Sequence, residues 1–444
     1  MKIFYAKLSL CFLFGGTAIF ISSCGEDKKD DINEVINNID KPVEDDPVMG
    51  NLTAAEQKKK IDEAGTKFLD QISAADFSYF SKLAEYVDDE LEDYDDEALS
   101  KWVDDLLDQM SVKTGTSEES YGGYSYVDTY YYTNYTQLIL LSNFVGHFSA
   151  ENRQWTYTKA SDLQFSFKDQ EGKNVTLTVK TSGNYKDVHF GEDEEWDDYE
   201  YYRNGNKTYY DYYYNVYDRT VRVPSKIEAT LKQGGTVKSE LVLNIDLSDM
   251  KSADYNLATD AYSANAMLTI GDYKLNNTKT AYNGKTNAEI KASFAKGGKS
   301  LIAFSISAEG NYQQETVKKV NVGIDIMEAI QIKGAVENGR DFVEYVSKAE
   351  ENDENESKFK SNISLANDLL NLGVYYDGRS ERQASIKLEC FHERDRWNDY
   401  WYSEPVFYFG DESSYTAFDV FFETGFDKLI AKYEKILDDF ERLF

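Results

Sequence analysis

Histidine, cysteine and positive charge are all scarce in this chain of 444 residues. The three histidines, His147, His189 and His392, stand far apart, so no sequence-local metal or nucleophile-activating cluster is formed. His392-Glu393 opens like the helix of a zinc protease, but four residues after His392 comes Arg396, and the second ligand is missing. Gly284-Lys285-Thr286 and Gly298-Lys299-Ser300 mimic only the end of a phosphate-binding loop, with Lys279 and Ser293 where the first glycine belongs. There is no Gly-x-Ser-x-Gly elbow. Cys390 lies in an alternating apolar stretch, where a buried and inert thiol is expected. No cofactor is expected. With 48 Lys and Arg against 80 Asp and Glu, the formal net charge is −32. Such a chain repels polyanions, and binding phosphate needs clustered basic side chains, which argues against nucleic acid and acidic lipid headgroups as partners. Cationic peptides, divalent cations and neutral glycans remain compatible.

What the sequence does contain begins at its first residues. Lys2 and Lys7 flank the start of an apolar run from Leu8 to Ile21, broken by Gly15 and Gly16. A charged start, a short apolar run and then small residues read as an export signal, and the run falls short of the roughly 20 residues a permanent span needs. Ile21-Ser22-Ser23-Cys24 resembles the bacterial lipobox, in which an aliphatic and two small residues precede the cysteine that takes the lipid. The acidic segment Gly25-Glu26-Asp27-Lys28-Lys29-Asp30-Asp31 is similar to the tag that follows that cysteine in surface lipoproteins of the Bacteroidota. The resemblance implies cleavage before Cys24, membrane attachment through a lipid on its thiol, and a place on the outer membrane facing the cell exterior. Cleavage removes Lys2, Lys7 and Cys11, taking the charge from −32 to −34 and leaving Cys390 as the one free thiol. No intrachain disulfide can then form, so stability must come from packed cores. The polar stretch up to residue 52, with Pro42 and Pro47, reads as a disordered tether. About 28 such residues would span about 30 Å.

Five segments follow from composition and periodicity: a signal over 1–23, the acidic tether over 24–52, helices over 53–111, an antiparallel β region over 112–312 and a mixed α/β region over 313–444. Thr53-Ala54-Ala55-Glu56 has the capping-box pattern, and Ile61, Ala64, Phe68, Leu69 and Ile72 recur at helical spacing. The acidic run Asp88 to Glu97 lacks the Asp-x-Asp-x-Asp-Gly order of a calcium loop, which favours a solvated helical face or turn. From about residue 155 the period falls to two. Three hairpins start at Leu163, Ile227 and Ile290, at spacings of 64 and 63 residues. The second and third are related in sequence, Ile227-Glu228-Ala229-Thr230-Leu231 before Gly234-Gly235 matching Ile290-Lys291-Ala292-Ser293-Phe294 before Gly297-Gly298. Residues 313 to 372 look mostly helical. At the end, Phe426, Leu429, Ile430, Tyr433, Ile436, Leu437 and Phe440 make a wide apolar stripe that should be buried on the hairpin sheet. The expected fold class is α+β: a large curved antiparallel sheet of repeated hairpins packed with N-terminal and C-terminal helices.

Tyrosine is concentrated in two regions, Tyr121 to Tyr135 and Trp196 to Tyr217, the second mixed with Glu192 to Asp198. Both read as tyrosine-rich loops. A ring with a flat apolar face and a hydroxyl suits stacking on sugars or contact with a protein at low entropy cost. Trp196, Tyr199, Tyr201 and Tyr202 are the candidate ligand-binding residues there. Trp397 and Trp401, with Tyr400 and Tyr402, form a third patch. The leading expectation is a non-catalytic surface lipoprotein that binds a glycan or a protein. Two alternatives stay open: a glycoside hydrolase whose carboxylate pair cannot be located from spacing, and a carrier of a lipid or other hydrophobic ligand.

Overall fold

The computed structural model describes residues 48–257, 259–311, 316–394, 399–409, 414–417, 421 and 425–442. The lipobox, Cys24, most of the tether and Trp397 lie outside them. The described residues divide into two compact units, one of Tyr86–Tyr262 and the other of the residues up to Glu85 together with those from Ser263 onward. The fold class is α+β, with mostly antiparallel strands. No helix among the described residues is long and apolar enough to cross a membrane.

In the unit of Tyr86–Tyr262, helix α3 (Glu97–Gln109) lays Trp102 edge-on against Phe148, with ring centroids 5.0 Å apart. It covers a small sheet of β3 (Gly146–Glu151), β4 (Gln154–Thr158) and β5 (Leu163–Lys168), whose core is Phe148, Ala150 and Trp155 with Leu91. Two long hairpins complete the unit. Strands β1 (Ser111–Gly122) and β2 (Tyr126–Leu140) form one; β6 (Asn174–Asn204) and β7 (Lys207–Gln233) form the other. The base of β6 pairs with β5 and the far end of β7 pairs with β8 (Thr236–Ile245). Because Val175 to Val179 also pair with Ala229 to Gln233, the first two repeated hairpins lie side by side in one sheet. Two pairings, β2 with β7 and β3 with β5, are parallel.

The other unit holds α1 (Ala54–Leu69), α2 (Ser78–Tyr86, its last residue belonging to the first unit), and β9 (Tyr262–Ile270, its first residue likewise) through β18. Thr53 caps α1 as its sequence specifies: its hydroxyl accepts from Glu56 N at 3.3 Å while its own N–H donates to the Glu56 carboxylate at 2.8 Å. Strands β10 (Tyr273–Tyr282), β11 (Asn287–Lys296), β12 (Lys299–Asn311), β13 (Thr316–Ile326), β14 (Ile330–Val336), β15 (Leu370–Tyr376), β16 (Ala384–Arg394), β17 (Asp399–Phe409) and β18 (Ser414–Ala417) pair antiparallel in chain order. Residues 316–336, read from sequence as helical, are thus a hairpin, and helix is confined to α4 (Gly339–Glu350) and α5 (Glu356–Asn367).

Helix α1 and the C-terminal α6 (Asp427–Glu441) close the core of this unit, where Ala64, Phe426 and Leu429 meet Ile330, Val374, Tyr376, Phe407 and Phe409. The stripe of α6 is only partly covered. Phe426 is buried and Phe440 packs on Phe77 with centroids 5.7 Å apart, but Ile430, Tyr433 and Leu437 are exposed.

The second and third repeated hairpins agree in structure down to their irregularities. Gly234 and Gly235 have φ of 55° and 85°, Gly297 and Gly298 of 56° and 82°, the two consecutive left-handed residues of a type I′ turn. In both, the register shifts at the same place, between Leu231 and Lys232 and between Phe294 and Ala295. A Cβ at Gly297 meets open space, so a side chain there is opposed by backbone conformation alone. Gly297→Val is expected to lower stability by roughly 1–2 kcal/mol, read as a shift of the urea midpoint at constant slope. An unchanged midpoint would mean that the turn is not held in this form.

Candidate functional site

The tyrosine-rich regions are strands, not loops. Beyond the base of the sheet, β1, β2, β7 and β6 lie side by side in that order as a four-stranded ribbon. Every residue from Glu192 to Lys207 is exposed, so this part of β6 has no second layer on either face. Loops were expected because neither region alternates polar with apolar; a sheet wet on both sides has no reason to.

Register explains how it stands. Strands β2 and β7 pair in parallel without a shift from Tyr126 opposite Thr208 to Leu140 opposite Arg222. Tyr130, Tyr131, Tyr132 and Tyr135 therefore meet Tyr212, Tyr213, Tyr214 and Tyr217, with ring centroids 5.0, 5.1, 5.6 and 5.1 Å apart. All four pairs are stacked. Aromatic pairs contribute about 0.5–1.5 kcal/mol each beyond the area they bury. Four such pairs are worth roughly 2–6 kcal/mol, a large fraction of a domain's net stability.

Directly opposed residues share a face, which sorts the ribbon into two. On one face, rows across β1, β2, β7 and β6 read Tyr121, Asp128, Tyr210, Tyr201; then Glu119, Tyr130, Tyr212, Tyr199; then Ser117, Tyr132, Tyr214, Trp196. Nine of these twelve positions are aromatic. Tyr121, Trp196 and Tyr201 are 59%, 63% and 66% exposed. We call this the tryptophan face. The opposite, carboxylate face carries the Tyr131–Tyr213 and Tyr135–Tyr217 stacks and a Tyr202–Tyr209 stack at 5.0 Å. Between the first and last of these runs a polar row, Ser120, Thr129, Asp211 and Glu200. Desolvation, and then the carboxylates of Glu200, Asp211 and Asp198, raise the Tyr213 hydroxyl above its ordinary pKa.

Of the residues singled out in the sequence, Trp196, Tyr199 and Tyr201 come together on the tryptophan face, whereas Tyr202 points to the other side. Trp401 belongs to the other unit and is already engaged: His392 stacks on it at 4.6 Å, and the Lys360 ammonium lies 4.3 Å over its ring. The tyrosines of β2 and β7, which fill the centre of the platform, belong to the tyrosine-rich regions of the sequence but not to its candidate ligand-binding residues. Their signal was present as two strings of the same form, Tyr130-Tyr131-Tyr132-Thr133-Asn134-Tyr135 and Tyr212-Tyr213-Tyr214-Asn215-Val216-Tyr217.

The three histidines do not converge on one another through shared partners. His147 pairs with Asp162 at 2.8 Å, His392 with Asp399 at 2.8 Å, and His189 with Asp218 and Asp254. Among the described residues no group of three or more His, Cys, Asp or Glu is placed to hold a metal ion. Cys390, expected to be buried, is half-buried, and that burial pushes its thiol up to about 11. Two of the buried carboxylates serve turns. Asp169 accepts from Glu171 N and Lys173 N, and Asp325, whose pKa burial raises, accepts from Glu328 N and Gln331 Nε2. The chain matches no protein-family model, no curated protein and no solved structure.

The ribbon is fastened at its base by the segment after β8. Met250 and Tyr255 pack on Val188 of β6 and Val223 of β7, and His189 N donates to Ser252 O while Tyr255 N donates to His189 O. The His189 ring bridges Asp218 and Asp254, and the Asp218 hydrogen bond raises its pKa. A histidine with a raised folded pKa lends stability below its ordinary value of about 6.5, and that contribution fades as pH climbs through the raised value. Thermal midpoints should therefore fall as pH is raised above about 6.5 in the native chain, and fall less in His189→Gln. Parallel curves for the two proteins would show that this bridge is not coupled to folding.

Proposed function

We propose that this protein is a non-catalytic surface protein that binds a neutral glycan laid flat across the tryptophan face. The observation that supports the reading is the block of nine aromatic side chains, open to solvent, on one face of a ribbon that no other layer covers. Pyranose rings present flat C–H faces that stack on tyrosine and tryptophan, and the phenol hydroxyls stand at the rim to meet sugar hydroxyls. Glu119 and Asp128, set among the rings, accept hydrogen bonds from hydroxyl groups and repel uronic or sulfated chains. The strands bring successive rows about 6.6–6.8 Å apart, so the block suits an extended chain rather than a single residue. The glycosidase and hydrophobic-carrier readings draw no comparable support, because the glycosidase reading needs a pair of carboxylates set for acid and base work and the carrier reading needs an enclosed apolar cavity. Attachment to the outer membrane through Cys24, facing outward, is part of the same proposal and rests on the Ile21–Cys24 segment and the acidic residues after it.

Binding to an array of neutral glycans should be found with the native chain and fall at least about tenfold in Trp196→Ala and in Tyr201→Ala, whose side chains are exposed. Tyr202→Ala, on the other face, should bind as the native chain does. Full affinity in both tryptophan-face variants would remove this reading. Separately, the native chain should sediment with membranes and carry a diacylglycerol-sized mass on its N-terminal peptide, and Cys24→Ala should do neither; a membrane-bound Cys24→Ala would overturn the lipid anchor.

A further inference from the structure

The carboxylate face contains the same arrangement twice, once complete. Near the base, Asp193 and Glu195 of β6 stand opposite Tyr217 and Asn215 of β7. Arg219, two residues beyond Tyr217 on the same face, bonds both carboxylates with separate guanidinium nitrogens, and its central carbon lies 5.1 Å over the Tyr217 ring. Two carboxylates at alternate positions beside a tyrosine face thus hold a guanidinium in this protein's own fold. Further out, Asp198 and Glu200 of β6 stand opposite Tyr213 and Asp211 of β7. Here the position two residues beyond the tyrosine, filled by Arg219 in the first set, holds Asn215, and Asp211 stands where the first set has Asn215.

The second set therefore gathers three carboxylates around Tyr213 with no cation of its own. Asp211 is only 8% exposed, yet among the described residues its carboxylate has neither a hydrogen-bond nor an ion-pair partner. Such a group is costly to bury unless a counter-charge reaches it. The nearest basic residues in register, Arg203 and Lys207, sit at the hairpin tip. Arg203, opposite Thr208, shares the tryptophan face, and Lys207 lies beyond the Tyr202–Tyr209 stack. The three carboxylates are not grouped closely enough to hold a metal ion, whereas a guanidinium is broad, planar and presents five donors.

We propose that Asp198, Glu200, Asp211 and Tyr213 form a binding site for the guanidinium of an arginine side chain from a basic partner protein. The site is on the face opposite the glycan platform and does not depend on that reading. The strand edge beside it is open: the outer part of β6 pairs with β7 alone. An extended segment running along this edge carries side chains of one face every two residues, the same spacing as Asp198 and Glu200.

An octa-arginine peptide titrated into the full chain should bind, more weakly as salt is raised. The double variant Asp198→Asn/Glu200→Gln should lose about tenfold in affinity, while Asp88→Asn/Asp89→Asn, which removes the same charge from exposed positions elsewhere in the unit, should lose little. Equal losses in the two would assign the binding to net charge and overturn the proposal. So would a glucosamine oligomer that binds more tightly than octa-arginine, since an amino sugar would then be the better cation. Asn215→Arg supplies the missing guanidinium from within, as Arg219 does, and should raise the thermal midpoint while abolishing octa-arginine binding. A lowered midpoint together with undiminished binding in that variant would also overturn it.

Discussion

The parallel register of β2 against β7 is the constraint on which the outer half of the Tyr86–Tyr262 unit depends. A ribbon wet on both faces cannot take its register from a buried side, because a slip that exchanges the faces exposes nothing that was hidden. Here the tyrosine spacing does that work. In the observed register four of the five tyrosines of β2 meet tyrosines of β7, and Tyr126 meets Thr208. A slip of one residue would leave two or three tyrosine pairs and set Tyr135 against Val216 or Asp218; a slip of two would leave two. The triplet alone would tolerate slippage, and the fourth tyrosine, three residues on, removes the ambiguity.

The same ribbon would be a liability if it were neutral. Its outer strands, β1 and the far part of β6, each have one paired edge and one open edge, a ready template for another chain. Those are also the strands with the densest negative charge: Glu118 and Glu119 on β1, and Glu192 to Glu195 with Asp197, Asp198 and Glu200 on β6. Two copies approaching edge to edge would bring these rows together in water and repel. Part of the large net charge seen in the composition therefore lies where a free-standing sheet most needs to stay single. Rings in the middle and acids at the margins also leave the flat centre of each face open to a ligand that is uncharged or positive.

How much of this could be read from sequence depended on whether one side of an element is buried. The three hairpins at 163, 227 and 290 were legible because alternation marks a half-buried strand and paired glycines mark the turn, and the capping box at Thr53 is a local pattern that needs no tertiary partner. Residues 316–336 misled because Val317, Val320, Val322 and Ile324 mix spacings of two and three, which fits a helix face as well as a strand half-buried on both sides. The candidate site was half legible. Trp196, Tyr199 and Tyr201 were noticed as neighbours in sequence, but strict alternation would put Trp196 on the side of Tyr202. The register shift between Trp196 and Asp198 leaves Asp197 without a partner, reverses the parity, and brings Trp196 to Tyr199 and Tyr201 instead. A bulge of that kind is a tertiary choice that composition does not announce. Nor could the stacking of Trp401 on His392 be foreseen, since it requires β16 and β17 to be paired first.

The contrast between the two ends of the ribbon is an argument about purpose as much as about stability. At the base, several charges are answered: Arg222 holds Asp187 through two bonds of 2.6 and 2.8 Å and lowers its pKa, Arg219 holds Asp193 and Glu195, and His189 holds Asp218 and Asp254. These pairs are partly exposed and individually modest, but together they tie β6 to β7 and, through Asp254, to the segment after β8. Outward of Glu195 the answering stops, and from there to the tip turn aromatic rings and unpaired carboxylates alternate. An apolar residue of similar size in place of Asp211 would lose no hydrogen bond, since the carboxylate makes none. A fold stabilised only for its own sake would have no use for a buried acid at that position. Its presence between two tyrosine stacks is understandable if the lowest free energy of the ribbon is reached with something cationic beside it, and in that case the outer half of this sheet is best described as one side of an interface.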